Sequence, residues 1–245
     1  MNFTAPWLGE FFGTATLITL GNGVVAGALL NKSKAQNAGW ISITAGWAIA
    51  VFCGIAVAIG MGDTDAHLNP AVTLASVIMT GNAARLLTYI PAQLLGALLG
   101  ATLVFLHYKP HWAATTEPDL KLACYCTSPA IRSLPWNLFS EILGTFVLVL
   151  VATALFSRRI APVGVAPGLG PMLVGAVVWG IGLSLGGTTG YAINPARDLG
   201  PRLAHALLPI PGRESSQWNY AWVPILGPLA GAAIAALFIR TFGML

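Results

Sequence analysis

The chain has 245 residues, of which 56% are hydrophobic and only 8% are Asp, Glu, Lys or Arg, against about 25% charged residues in an ordinary soluble domain. Charge that sparse cannot coat a water-exposed surface, which excludes a cytosolic enzyme. The net charge of +4 comes from twelve Lys and Arg scattered without a basic stripe, which excludes a nucleic-acid binder and leaves a polytopic membrane protein.

A helix needs about 20 apolar residues to cross the hydrocarbon of a bilayer. Six stretches meet that length: 7–30, 39–61, 84–107, 137–157, 171–188 and 221–242. They are long and continuously apolar rather than alternating, so they read as helices and not as barrel strands. No Lys or Arg precedes the first, unlike a cleaved secretory signal, and it reads as a retained span. Cys53 in the second reads as packing. The fifth ends early, at Gly186-Gly187. Small residues stand four apart at Gly9 and Gly13, Gly23 and Gly27, Gly96 and Gly100, Gly182 and Gly186, and Gly227 and Gly231. That spacing lets backbones approach closely in lipid.

Two further apolar segments are too short to span, Pro70 to Thr80 and Pro195 to Leu208. Each opens on the same tripeptide, Asn69-Pro70-Ala71 and Asn194-Pro195-Ala196. Proline at the first helical position is pre-set for helix and loses no needed N–H, and asparagine before it is a good N-cap. Each segment therefore reads as a short helix whose start is defined by its motif.

The halves of the chain resemble each other. Residues 7–14 (WLGEFFGT) align with residues 138–145 (LFSEILGT) at an offset of 131, and the Asn-Pro-Ala motifs recur at an offset of 125. One domain over 1–245 then divides into a first repeat at 1–107, a linker at 108–136 and a second repeat at 137–245. Three full spans per half is an odd number, so the second copy enters the membrane from the other side and the repeat is inverted. The expected fold is an all-α membrane protein of six transmembrane helices and two re-entrant half-helices. The linker holds four prolines. It also holds Cys124 and Cys126, whose spacing from His107 and His111 is too irregular for a metal set, and neither metal nor cofactor is expected.

Inversion points the two half-helices at each other, N-terminus to N-terminus, near the bilayer midplane. Each N-terminus carries unsatisfied N–H groups and about half a positive charge. Asn69 and Asn194 add side-chain donors, so a passing oxygen accepts hydrogen bonds from both while the field repels protons and cations. Such a pore passes neutral solutes and excludes ions. Glu10 and Glu141 occupy equivalent repeat positions within spans, where charge is expensive. They either relay protons or, as preferred here, brace the loops before the half-helices by accepting N–H bonds; Gln93 serves similarly. Asp198 reads as a first-turn dipole partner. Inverted repeats with broken helices are also the mark of secondary transporters, which remain the alternative function. No Ser-His pair or His-Glu-x-x-His supports an intramembrane enzyme.

The stretches His67-Leu68-Asn69-Pro70-Ala71-Val72-Thr73 and Asn194-Pro195-Ala196-Arg197 resemble the paired signatures of the aquaporin family. The resemblance covers essentially the whole chain. Asp198 after Arg197, Arg202 four residues on, and Pro224-Ile225 in place of an aromatic pair are similar to the glycerol-facilitator branch. The resemblance implies a passive channel for glycerol and water. Urea, dihydroxyacetone, hydrogen peroxide and protonated lactic acid are further neutral candidates. It also implies a homotetramer with one pore per protomer, seated in the lipid bilayer of the cell membrane with both termini cytoplasmic. The charge count points the other way: with the termini inside, Arg85, Arg158, Arg159 and Arg240 face inward. Lys32, Lys34, Lys109, Lys121, Arg132 and Arg213 then face outward.

By the same resemblance the narrowest point uses four positions. Arg197, Tyr191 and Gly182 match three of them; the fourth falls on Trp47, or on Ile49 when the stretch through Asp63-Thr64-Asp65 is aligned without a gap. Trp47 and Tyr191 would form an apolar corner for the CH face of glycerol. Arg197 would donate to its hydroxyls, and Gly182 would leave room. Carbonyls of Ala66, His67, Gly190 and Tyr191 would continue the acceptor track.

Overall fold

The computed structural model describes residues 5–244, and the regular structure among them is wholly helical. The helices are α1 (Ala5–Leu29), α2 (Gly39–Gly60), α3 (Pro70–Thr80), α4 (Ala84–His107), α5 (Lys109–Ala114), α6 (Pro118–Ala123), α7 (Leu134–Phe156), α8 (Leu169–Ser184), α9 (Pro195–Leu207) and α10 (Val223–Thr241). Among the described residues, five of them (α1, α2, α4, α7 and α10) are long and apolar enough to cross a membrane. The sixth expected span, α8, has 16 residues and is about 24 Å long. It stops at Ser184, and the chain turns through Gly186-Gly187 toward the second Asn-Pro-Ala motif.

Both short helices begin as their sequences require. Asn69 and Asn194 are extended N-caps whose side chains accept from Ala71 N–H, and from Ala196 and Arg197 N–H, with proline in the first turn. At the far end of α3, Gly81 closes the helix in the left-handed region at φ 80°. The apolar reading of the second short segment does not hold. α9 carries Arg197, Asp198, Arg202 and His205, all buried, so its inner face is polar.

Within each half the first helix packs on its neighbours, α1 on α2 and α4, and α7 on α8 and α10. The half-helices cross over: α3 lies on α10, and α9 lies on α4. Three of the glycine pairs serve this packing. A Cβ on Gly100 would stand 2.6 Å from the Ala15 carbonyl, and one on Gly13 would stand 2.8 Å from that of Gly54. Gly227 and Gly231 likewise meet Glu141 and Ile142 of α7. Gly23, by contrast, faces open space. Exposed apolar side chains such as Leu87, Trp136, Met172 and Leu237 belt the bundle, as a multi-pass membrane protein requires.

The stretch read as a plain linker carries α5 and α6 and folds into the core. Trp112 is fully buried with its indole N–H on the Phe105 carbonyl (2.9 Å), and Thr115 accepts from Asn31 N–H (2.9 Å). Lys121 reaches the Pro211 carbonyl. Cys124 and Cys126 are buried there, and burial pushes both thiols well up from their ordinary range. The thiolate is the reactive form. Neither cysteine is therefore expected to react with a maleimide in the folded protein, and both should react after denaturation, as read by mass spectrometry.

Candidate functional site

Two loops dip between the helices and bring the Asn-Pro-Ala motifs together. The Asn69 amide donates to the Ile193 carbonyl, and the Asn194 amide donates to the Leu68 carbonyl, both at 2.8 Å. These reciprocal bonds join the N-termini of α3 and α9. The C-terminal end of α3 (Met79 and Thr80) lines the same cavity as Phe156, where α7 ends, while the last turn of α9 lies beside Tyr125 in the linker from which α7 starts. The half-helices therefore run in opposite directions from a common meeting point. An amide NH2 has two donors, and one N–H of each asparagine is spent on the crossing. The other is left for whatever occupies the cavity beside them.

That cavity has a volume of about 640 Å³ and both asparagines line it. Its walls differ in chemistry. Trp47, Val51, Ile55 and Ile59 line it from α2 at every fourth residue, and Val174 and Val178 do so from α8, giving an apolar side. Facing them, Ala66, His67, Leu68 and Asn69 from one loop and Tyr191, Ala192, Ile193 and Asn194 from the other supply backbone and amide. Among the described residues nothing donates to the carbonyls of Ala66, His67, Tyr191 or Ala192. Gly190 does not line the cavity; it turns the chain at φ 81° and its N–H goes to the Gly186 carbonyl.

The loops hold an unusual backbone. Ala66 and Leu68 have φ of 44° and 52°, and Tyr191 and Ile193 have 37° and 43°. These four match in pairs across the repeat. Left-handed conformations in non-glycine residues cost about 1–3 kcal/mol each and persist only when their surroundings impose them. Two buried carboxylates do so. Glu10 accepts from the N–H groups of His67 (2.5 Å) and Leu68 (2.8 Å), and Glu141 from those of Ala192 (3.0 Å) and Ile193 (2.9 Å). Gln93 adds a bond to Glu10 (2.7 Å) and one to Thr73, and Thr189 adds one to Glu141 (2.7 Å). With their N–H groups tied outward, the loop carbonyls are free to face the cavity.

At one end the cavity closes on Trp47, Tyr191 and Arg197. The guanidinium of Arg197 lies 4.1 Å over the Trp47 ring, and its Nη1 has no partner. The Tyr191 hydroxyl is also buried without a partner. Ile49 is 58% exposed on the outside of the bundle, so Trp47 is the residue of this pair at the cavity. Gly182 is not part of the lining. The Tyr191 ring lies against it, and a Cβ there would stand 2.8 Å from Cζ, so the room Gly182 leaves is taken by the phenol. Asp198 does not reach the cavity either. Its carboxylate takes the Arg202 guanidinium (2.7 Å) and the Thr127 N–H and hydroxyl (2.8 and 2.7 Å). It leaves the positive charge of Arg197 facing inward.

The sequence pattern of the family described as Major intrinsic protein matches residues 1–239. The chain belongs to that family. It is 52% identical over 231 residues to the probable glycerol uptake facilitator protein of Thermotoga maritima, covering 94% of this chain and 96% of that one. Glycerol uptake facilitator protein 3 of Lactiplantibacillus plantarum is 52% identical over 234 residues, covering 95% of each. The X-ray structure of the aquaglyceroporin from Plasmodium falciparum superimposes with a TM-score of 0.84 at 28% identity, over 97% of this chain and 96% of that one.

Several residues shape the site of this major intrinsic protein in ways the sequence did not assign to them. Gly21 on α1 makes room for the Trp47 ring, which a Cβ would strike. Arg202 ties α9 to the Thr127 and Ser216 carbonyls (2.9 and 2.7 Å), joining the linker to the loop after α9. At the opposite end of the cavity, Arg85 of α4 pairs with Asp65 and donates to the Ser76 hydroxyl (2.7 Å), so Thr64 and Asp65 form part of that mouth. The one available sequence signal was charge inside or beside an apolar run, which marks Arg202 and Arg85 but not Gly21.

Proposed function

We propose that the chain is a passive channel that lets glycerol and other small neutral solutes diffuse across the membrane with water, and that it is not an enzyme. The observation that carries this reading is the two-sided pathway: an apolar stripe from α2 and α8 faces a run of unpaired carbonyls and asparagine amides. It ends where the Arg197 guanidinium lies over the Trp47 ring beside Tyr191. A polyol has a hydrocarbon face and a hydroxyl face, and each finds its complement. The names of the bacterial relatives agree with glycerol as the solute.

In this reading Asn69, Pro70, Ala71, Asn194, Pro195 and Ala196 set the crossing point, and Trp47, Tyr191 and Arg197 with Gly182 behind them form the narrow filter. Ala66, His67, Tyr191 and Ala192 carry the acceptor track. Glu10, Glu141 and Gln93 brace it, and Asp198 braces the start of α9 through Thr127 and Arg202. The opposed helix N-termini and Arg197 place positive potential along the track, which supports exclusion of protons and metal cations. We further propose a homotetramer in the cell membrane with both termini cytoplasmic, the repeats dividing as 1–107 and 137–245.

Stopped-flow light scattering on proteoliposomes tests this. Glycerol flux is expected to rise linearly with its gradient, far above protein-free vesicles, and to ignore pH and sodium gradients. Saturation, or accumulation against a gradient, would favour a secondary transporter instead. Urea, dihydroxyacetone, hydrogen peroxide and lactic acid below its pKa, run in parallel, rank the solutes.

A further inference from the structure

Trp40 stands in the first turn of α2 and does not line the cavity. Its indole N–H donates to the Gly182 carbonyl at 3.0 Å. Gly182 lies in the last turn of α8, where the final carbonyls of a helix have no intrahelical partner, so Trp40 satisfies one of them from another helix. Its ring meets that of Tyr191 edge-on, with centroids 5.8 Å apart. Gly186 lies beneath both rings: a Cβ there would strike Tyr191 and come within 2.9 Å of Trp40 Cζ2. Thus Gly182 and Gly186, which the spacing alone assigned to helix packing, form a flat seat for Tyr191, and Trp40 closes its side.

Tyr191 needs such a seat. Its backbone is left-handed at φ 37° and its hydroxyl has no partner, so nothing in its own hydrogen bonding fixes the ring. We infer that Trp40 is a positioning residue for Tyr191: it pins the end of α8 through the Gly182 carbonyl and holds the phenol in place beside the pathway by their edge-on ring contact. It thereby sets the width of the filter without touching solute. This rests on the proposed reading of Tyr191 as a filter residue. A tryptophan serving only as an anchor at the membrane surface would send its N–H toward lipid headgroups or water; here it is committed to a protein carbonyl.

The experiment measures glycerol and water permeability of the full-length protein in liposomes, per reconstituted channel, for Trp40→Ala, Trp40→Phe, Tyr191→Ala and the double variant Trp40→Ala/Tyr191→Ala. Removing the indole lets the Tyr191 ring relax into the space it held, widening the filter. The glycerol-to-water ratio is expected to rise about threefold, as suits the loss of one modest hydrogen bond and ring contact. Trp40→Phe keeps the ring but not the N–H, and should recover part of the change. Because Trp40 acts through Tyr191, the double variant should match Tyr191→Ala alone. The inference is overturned if Trp40→Phe and Trp40→Ala both leave the ratio unchanged, or if the Trp40 effect adds fully to that of Tyr191→Ala. If Tyr191→Ala itself does nothing, the filter reading has failed, and this inference falls with it.

Discussion

Replacing Gly182 with His is expected to cut glycerol permeability by at least about tenfold while water permeability falls far less. A Cβ at this position would stand 2.8 Å from Tyr191 Cζ, 2.9 Å from its hydroxyl and 3.0 Å from Thr44 Cγ2. The imidazole therefore has no room unless the phenol moves. Behind the ring are Trp40 and Gly186, so the way open is toward Trp47 and Arg197, into the pathway. Overpacking of this kind costs about 1–3 kcal/mol, and about 1.4 kcal/mol in a barrier is tenfold in rate. Glycerol, wider than water, meets that barrier first. Tyr191→Ala should shift the glycerol-to-water ratio the opposite way. Combining it with Gly182→His should restore much of the glycerol flux, because the histidine then occupies the space the phenol left. If Gly182→His lowers both fluxes equally, the variant has disturbed the whole bundle rather than the filter. If it lowers neither, Tyr191 does not set the width.

How far the site could be read in advance depended on the kind of physics involved. Asn-Pro-Ala states its own local structure, a cap and a pre-set first turn, so α3 and α9 start where their sequences say. Glu10 and Glu141 stood out because a carboxylate inside an apolar run must have partners, and their repeat spacing pointed to the loop amides they accept from. Side-chain direction was harder. Gly182 and Gly186 look the same whether they face a helix or a ring, and only packing places Tyr191 on them. The linker gave no sign of entering the core, because its prolines and charges suit a solvated loop. Yet Trp112 and Tyr125 are fully buried there and Lys121 finds a carbonyl. For α9 the converse holds: Asp198 and Arg202 pair with each other and are completed by partners outside the helix, Thr127, Ser216 and Gln217, so a buried segment can carry them. Periodicity carries no information about such partners.

The choice between brace and proton relay for the paired glutamates comes down to what happens when one loses its charge but keeps its shape. Glu141 Oε1 accepts from the Thr189 hydroxyl and Ala192 N–H, and Oε2 accepts from Ile193 N–H. In Glu141→Gln one of those oxygens becomes an NH2 group. Whichever way the amide turns, it sets a donor against the N–H of Ala192 or Ile193, in a loop where Glu141 itself is fully buried. One unsatisfied buried donor costs about 1–3 kcal/mol, and the loop already holds Tyr191 and Ile193 in left-handed conformations. Glu141→Gln is therefore expected to lower the unfolding temperature in detergent clearly, and to reduce glycerol and water permeability together. Glu141→Ala, which strands all three donors, should fail to yield folded protein. Glu10→Gln should behave like Glu141→Gln, because His67 and Leu68 depend on Glu10 as Ala192 and Ile193 depend on Glu141. A relay makes a different forecast: Glu141→Gln would then keep wild-type stability and abolish a pH-gradient-driven component of flux. A brace has no such component to lose, since a carboxylate committed to two backbone amides and a hydroxyl works by holding still.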